Sequence, residues 1–154
     1  MGKIFDLPAH PFFVHLPIVL LPVAVLLALY AVARPTFRDR YGRAIAAVAG
    51  VSFIGTFLAK ESGEEMFEIM QRTPNVDKHQ SLAQTTLIVA FVFALSFAGL
   101  VFSGRRSVLK AQQRWLTPTL MAVTVVSAII SAIWIARTGH EGAKLNWDAI
   151  SGGG

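Results

Sequence analysis

The side chains best suited to chemistry in this sequence are four histidines, in a chain without cysteine: His10, His15, His79 and His140. A neutral imidazole binds transition metals and haem iron, and it can also exchange a proton near neutral pH. The lack of cysteine excludes disulfides, thiolate metal sites, iron–sulfur clusters and covalently attached haem. Any haem in this protein would therefore be held non-covalently.

Charged side chains that could support the histidines are expected on the same side of the membrane as the histidines. The carboxylates are Glu61, Glu64, Glu65 and Glu141. They could orient an imidazole through its second nitrogen or ligate a metal ion themselves. The cations are Lys60, Arg72 and Lys144, which could bind anionic groups such as haem propionates.

Helices that cross a membrane are the elements that must position these side chains. The chain is 54% hydrophobic and only 15% charged, with a mean hydropathy of +0.56, too apolar for an ordinary water-soluble domain. A helix needs about 20 apolar residues to cross a bilayer core of roughly 30 Å. Four runs without Asp, Glu, Lys or Arg approach this length, at residues 12–33, 44–59, 82–102 and 116–135. The second is short, and its helix could continue through the Glu-rich residues that follow.

These runs predict an all-α integral membrane protein, an up-down-up-down four-helix bundle. We expect one domain over residues 1–150 and a tail at 151–154, because nothing between the spans is long enough to fold alone. Local signals suggest where the helices end. Pro11 should keep His10 in a non-helical entry segment, Pro118 should begin the last helix, and Gly139 and Gly142 should end it.

The loop charges predict the orientation of the bundle. The first connection contains Arg34, Arg38, Arg40 and Arg43. The third contains Arg105, Arg106, Lys110 and Arg114. Both should be cytoplasmic by the positive-inside rule, and the acidic second connection and both termini should lie outside. The basic pI then reflects membrane topology, so we expect a multi-pass plasma membrane protein, in a bacterial inner membrane, without nucleic-acid binding.

This topology brings all four histidines to the extracytoplasmic side. His15 would lie about 6 Å inside a helix that begins at Pro11, at roughly 1.5 Å per residue. His10 and His15 are five residues apart, or about 140° around an ideal helix, so they do not readily share one small ion. A haem needs only one imidazole on each side of its plane. The pairing favoured by the sequence is therefore His15 opposite His79 or His140.

Two other interpretations of the histidines remain open. One is a zinc, copper or iron site built from His15, His79 and His140 with a carboxylate such as Glu65, Glu61 or Glu141, since imidazole and carboxylate suit these metals. The other is a structural accessory subunit of a larger membrane complex, whose histidines are merely hydrogen-bonded. Hydrolase and nucleotide chemistry have no support, because the sequence lacks a Ser-His-Asp order, a phosphate loop and HExxH.

Three segments carry a resemblance to a known family: "HPFFVHLPI" from His10, "HQSLAQ" from His79 and "TGHEGAKLNW" around His140. Together they resemble the four-helix membrane family called domain of unknown function 2231, over roughly residues 8–148. Members are similar in carrying histidines at the positions of the four here, and some are joined to cytochrome c or Rieske domains. The commoner ending of the family is GHxGG, whereas Ala143 follows Gly142 in this chain.

The resemblance implies a redox setting and haem b as the cofactor. The leading hypothesis is accordingly a small b-type cytochrome, an electron carrier or subunit rather than a stand-alone enzyme. Its haem would lie near the outer face and exchange electrons with a quinol or a periplasmic cytochrome.

Overall fold

Four long helices make up almost all of the structure, a computed structural model that describes residues 3–4, 7–8, 10–69, 74–103 and 110–150. The helices are α1 (His10–Ala33), α2 (Pro35–Ile69), α3 (Pro74–Ser103) and α4 (Lys110–Ile150). Before α1, the two-residue strands β1 (Lys3–Ile4) and β2 (Leu7–Pro8) pair antiparallel. Each helix contains a segment long and apolar enough to cross a membrane: Phe12–Ala33, Pro35–Glu64, Asn75–Ser103 and Trp115–Leu145. The predicted all-α class with four spans is confirmed.

Several helix boundaries differ from the sequence predictions. The expected first loop is helical, since α2 begins at Pro35, directly after Arg34. Proline suits a first helical turn, and the amide of Arg38 donates to the Arg34 carbonyl. At its other end α2 continues through the Glu-rich residues to Ile69, the longer of the two lengths considered.

The predicted ends of the other two helices were also wrong. α1 begins at His10 itself, so this residue is helical. α4 begins at Lys110 and ends at Ile150, which places Pro118, Gly139 and Gly142 inside it. Helices of membrane proteins tolerate internal proline and glycine, because packing against neighbouring helices supports the backbone.

The helices form a closed four-membered arrangement. α1 packs mainly against α2 and α3 mainly against α4, and contacts of α2 with α3 and of α1 with α4 complete it. α1 and α3 are thus diagonal partners. The side chains of Leu21, Phe93 and Phe97 fill the centre and are fully buried.

The bundle is apolar outside and partly polar inside, as expected of a protein surrounded by lipid. Leu26 and Leu95 point outward with 68% and 61% of their surface exposed. Hydroxyl groups are buried instead, and Thr124 Oγ1 donates to Ser96 Oγ at 3.2 Å between α4 and α3. Small side chains of this kind let helix backbones approach closely where burial from water no longer drives association.

Candidate functional site

His10, the first residue of α1, is anchored to the end of α2. Its Nδ1 atom lies 2.8 Å from the carbonyl oxygen of Ala59 and 3.4 Å from Ser62 Oγ. The Ser62 hydroxyl also donates to the Ala59 carbonyl, at 3.0 Å. A carbonyl oxygen can only accept, so Nδ1 of His10 carries the ring proton and donates it. In the neutral ring the lone pair is then on Nε2, the nitrogen that remains for a ligand.

Gly63 makes this contact possible. A Cβ atom added at Gly63 would lie 3.0 Å from Cε1 and 3.1 Å from Nδ1 of His10, closer than nine in ten real Cβ contacts. With a side chain at this position, the ring would have to shift by a few tenths of an ångström. The sequence pattern indicated Glu61, Glu64 and Glu65 in this segment, but not Ser62 and Gly63. The available signal was a glycine inside a helical pattern, which often marks a packing or functional requirement.

Burial controls the charge of His10. It lowers the pKa of the imidazole below its ordinary value of 6.5, and the hydrogen bond to the Ala59 carbonyl opposes this only partly. The ring is therefore neutral at pH 7, which is the state that can bind a metal centre.

His79, near the start of α3, is anchored to α4 in a similar way. The residue is buried, and the backbone of Thr138 lies within hydrogen-bonding reach of its ring. A Cβ atom added at Gly142 would lie 3.0 Å from its Cε1 atom. His79 is also close enough to His10 for the two rings, if charged, to repel each other. The two imidazoles thus lie on diagonal helices at one end of the bundle; we call His10 and His79 the packed histidines.

The other two histidines lie at the same end of the bundle but on its surface. His15, on the second turn of α1, is exposed, and so is His140 on α4. His140 lines an open groove of about 300 Å³ together with Lys78, Leu82, Ala136, Arg137 and Glu141. We call His15 and His140 the exposed histidines. His79 is thus near His10, and the pairing of His15 with His79 or His140, which the sequence favoured, stays a prediction.

The predicted carboxylates are bound to lysines. Lys60 lies 2.8 Å from Glu64 and 3.2 Å from Glu61. Lys78 and Lys144 approach Glu141 to 2.9 and 3.5 Å. Arg72 and the side chain of Glu65, both predicted to contribute to the site, lie outside the described residues. Within the described part of the chain, no three His, Cys, Asp or Glu side chains form a group that could hold a metal ion.

The departure from the GHxGG ending has a simple structural explanation. Gly142, which the chain keeps, is the residue that contacts His79. Ala143, which stands where the commoner ending has its second glycine, is exposed. The alanine therefore leaves the contact with the imidazole intact.

Comparison with known proteins agrees with this architecture. No curated protein and no solved structure matches the chain. The model of one family, described as "Predicted membrane protein (DUF2231)", matches residues 6–152, nearly the whole length. Four apolar helices and this match together identify a multi-pass membrane protein. The chain belongs to the DUF2231 family of predicted membrane proteins.

Proposed function

We propose that the protein is a membrane electron carrier or redox subunit that holds one haem b between His10 and His79. The observation that supports this most strongly is the pair of packed histidines on diagonal helices, with His10 oriented by a backbone carbonyl. His10 and His79 would hold the group from two diagonal helices, and imidazole is a ligand that haem iron accepts.

The immediate surroundings of His10 suit a ligand role. Its Nδ1 proton is directed at the Ala59 carbonyl, so the Nε2 lone pair points away from α2. A hydrogen bond from Nδ1 fixes the tautomer and ring orientation, and it makes the other nitrogen a stronger donor. Because burial lowers its pKa, His10 does not need to lose a proton before it binds a metal centre at pH 7.

When bound, a haem b supplies one-electron transfer at a potential set by its axial ligands and surroundings. The residues of this chain would set the burial and the charge around the group. The helices bury His79 and part of His10, and Lys78 and Lys144, each 55% exposed, would supply positive charge for anionic substituents at the same end. A bare zinc, copper or iron ion is a weaker candidate, because the described residues offer two imidazoles but no third ligand beside them.

The arginine-rich end of the bundle supports an orientation for this site. The end of the bundle opposite the histidines, where α1 ends and α2 begins, carries four arginines: Arg34, Arg38, Arg40 and Arg43. Under the positive-inside rule this end faces the cytoplasm, and the packed histidines face the extracytoplasmic side of a bacterial inner membrane. Electron exchange with a quinol or a periplasmic cytochrome, alone or within a larger membrane complex, follows from that placement.

Absorption spectroscopy tests the cofactor. Protein purified from haem-replete cells should show a reduced-minus-oxidised spectrum of low-spin haem, and the apo protein should bind added haemin at one equivalent per chain. A colourless preparation that also fails to bind haemin would contradict the proposal and favour the structural accessory role.

Single-cysteine labelling tests the orientation, since the natural chain has no cysteine. Asn75→Cys, at the histidine end, should react in intact cells with a reagent that does not cross membranes. Arg34→Cys should react only after the membrane is opened. The reverse pattern would place the site on the cytoplasmic side.

A further inference from the structure

The anchors of the two packed histidines have the same construction. His10 reaches the carbonyl of Ala59, four residues before Gly63, and the ring lies against that glycine. His79 lies within hydrogen-bonding reach of the backbone of Thr138, four residues before Gly142, and its ring lies against that second glycine. In both cases a histidine near the start of one helix binds the end of the next helix along the chain.

We propose that Gly63 and Gly142 are matched positioning residues, which hold the two imidazoles in equivalent orientations as the two halves of one ligand site. Only the identity of the bound group, haem b, rests on the function proposed above. The orientation of the rings is a property of the chain itself and can be measured without a cofactor.

Helix geometry explains the spacing of four. Residues four apart lie on the same face of an α-helix, one turn above the other. The side chain at position i+4 therefore stands close to the carbonyl of residue i and normally shields it. A glycine there opens the carbonyl to a group from outside the helix, and in both anchors an imidazole ring occupies that opening.

Two other glycines on the same helices have no such contact and provide controls. Gly50 is on α2 with Gly63, and Gly139 is on α4 with Gly142, one turn away. A Cβ atom at either Gly50 or Gly139 would meet nothing within 4 Å. Alanine at these positions keeps the helix and leaves the histidines undisturbed, so both are matched controls.

The experiment is NMR of the cofactor-free, full-length protein with ¹⁵N-labelled histidine, because imidazole ¹⁵N shifts report which nitrogen carries the proton. In the wild type, His10 should be locked with the proton on Nδ1. Gly63→Ala should shift the His10 signals towards those of an exposed histidine and leave His79 close to wild type. Gly142→Ala should change the His79 signals and leave His10 close to wild type. Gly50→Ala and Gly139→Ala should change neither.

Unchanged His10 signals in Gly63→Ala and unchanged His79 signals in Gly142→Ala would overturn the inference, as would equal changes in the control variants. If one variant does not fold, the other anchor with its own control still decides the question.

Haemin titration of the same proteins separates the two proposals. Loss of orientation should raise the haemin Kd by about tenfold or more. The histidine signals could depend on the glycines in a protein that does not bind haemin. That result would support this inference and contradict the proposed function.

Discussion

The packed and the exposed histidines share a residue type and one end of the bundle, yet their surroundings differ. His10 and His79 each lie against a glycine and the backbone of a neighbouring helix. His15 and His140 are exposed on the surface. A common end of the bundle is therefore not enough to make a site. An imidazole is fixed where the adjacent helix has a glycine that opens its backbone.

Removal of a packed imidazole should have the largest effect. His10→Gly and His79→Gly should each raise the Kd for haemin more than about tenfold, equivalent to about 1.4 kcal/mol, because an axial ligand is lost. Added free imidazole should restore part of the binding by filling the vacated space. His15→Ala and His140→Ala, measured by the same haemin titration, are the controls. A larger loss in these controls than in the packed variants would reverse the comparison.

The next largest effect should be that of acidification on the stability contributed by His10. Burial places the folded-state pKa of His10 below its ordinary value of 6.5, so the unfolded chain takes up this proton more readily. The contribution of His10 is fully present above pH 6.5 and is lost as the pH falls from there through the lower folded-state pKa. Thermal unfolding in detergent at pH 7.5 and 5 should show a smaller loss of Tm in His10→Gln than in the wild type. An equal loss in both proteins would mean that His10 is not held in its neutral form.

Alanine in place of glycine should change the stability of the protein by a smaller amount, and differently at the anchors and at the control positions. Gly50→Ala and Gly139→Ala should stabilise the protein by about 0.5–1 kcal/mol, because alanine loses less backbone entropy and meets no neighbour. Gly63→Ala and Gly142→Ala should lose this gain, because the new methyl group displaces an imidazole. Tm values of the four variants provide the measurement, and equal stabilisation in all four would show that the rings are loosely held.

Neutralisation of the surrounding lysines should have the smallest effect. Lys78→Met removes the ion pair with Glu141, but the lysine side chain is 55% exposed, so the Tm should remain within about 2 °C of the wild type. Lys60→Met should lower the Tm further, since Lys60 is only 14% exposed and binds both Glu61 and Glu64. A larger decrease for Lys78→Met would show that charge pairing, rather than the packed histidines, organises this end.

The fold was largely predictable because its signals are long and local. Each apolar run is about the length of a bilayer crossing, and the arrangement of four spans follows from their number. The helix ends were harder to predict, because proline and glycine, which often mark helix ends in soluble proteins, lie inside α4 at Pro118, Gly139 and Gly142. In this bundle, packing between helices allows α4 to continue through all three residues.

The site was only partly predictable. The even number of crossings brings all four histidines to one end, but it does not say which of them turn inward. That choice depends on the rotation of each helix about its axis, and so on contacts such as His10 with Gly63 and His79 with Gly142. These pairs are far apart in the sequence. Apolar residues lie on every side of α1, so no amphipathic pattern shows which way this helix faces.

The most direct test of the packed pair is the reduced-minus-oxidised spectrum of two double variants, purified beside the wild type from haem-replete cells. The variant His15→Ala/His140→Ala should retain the low-spin haem spectrum of the wild type. The variant His10→Ala/His79→Ala should lose it. A haem spectrum that survives the loss of His10 and His79, or that disappears with His15 and His140, would contradict this prediction.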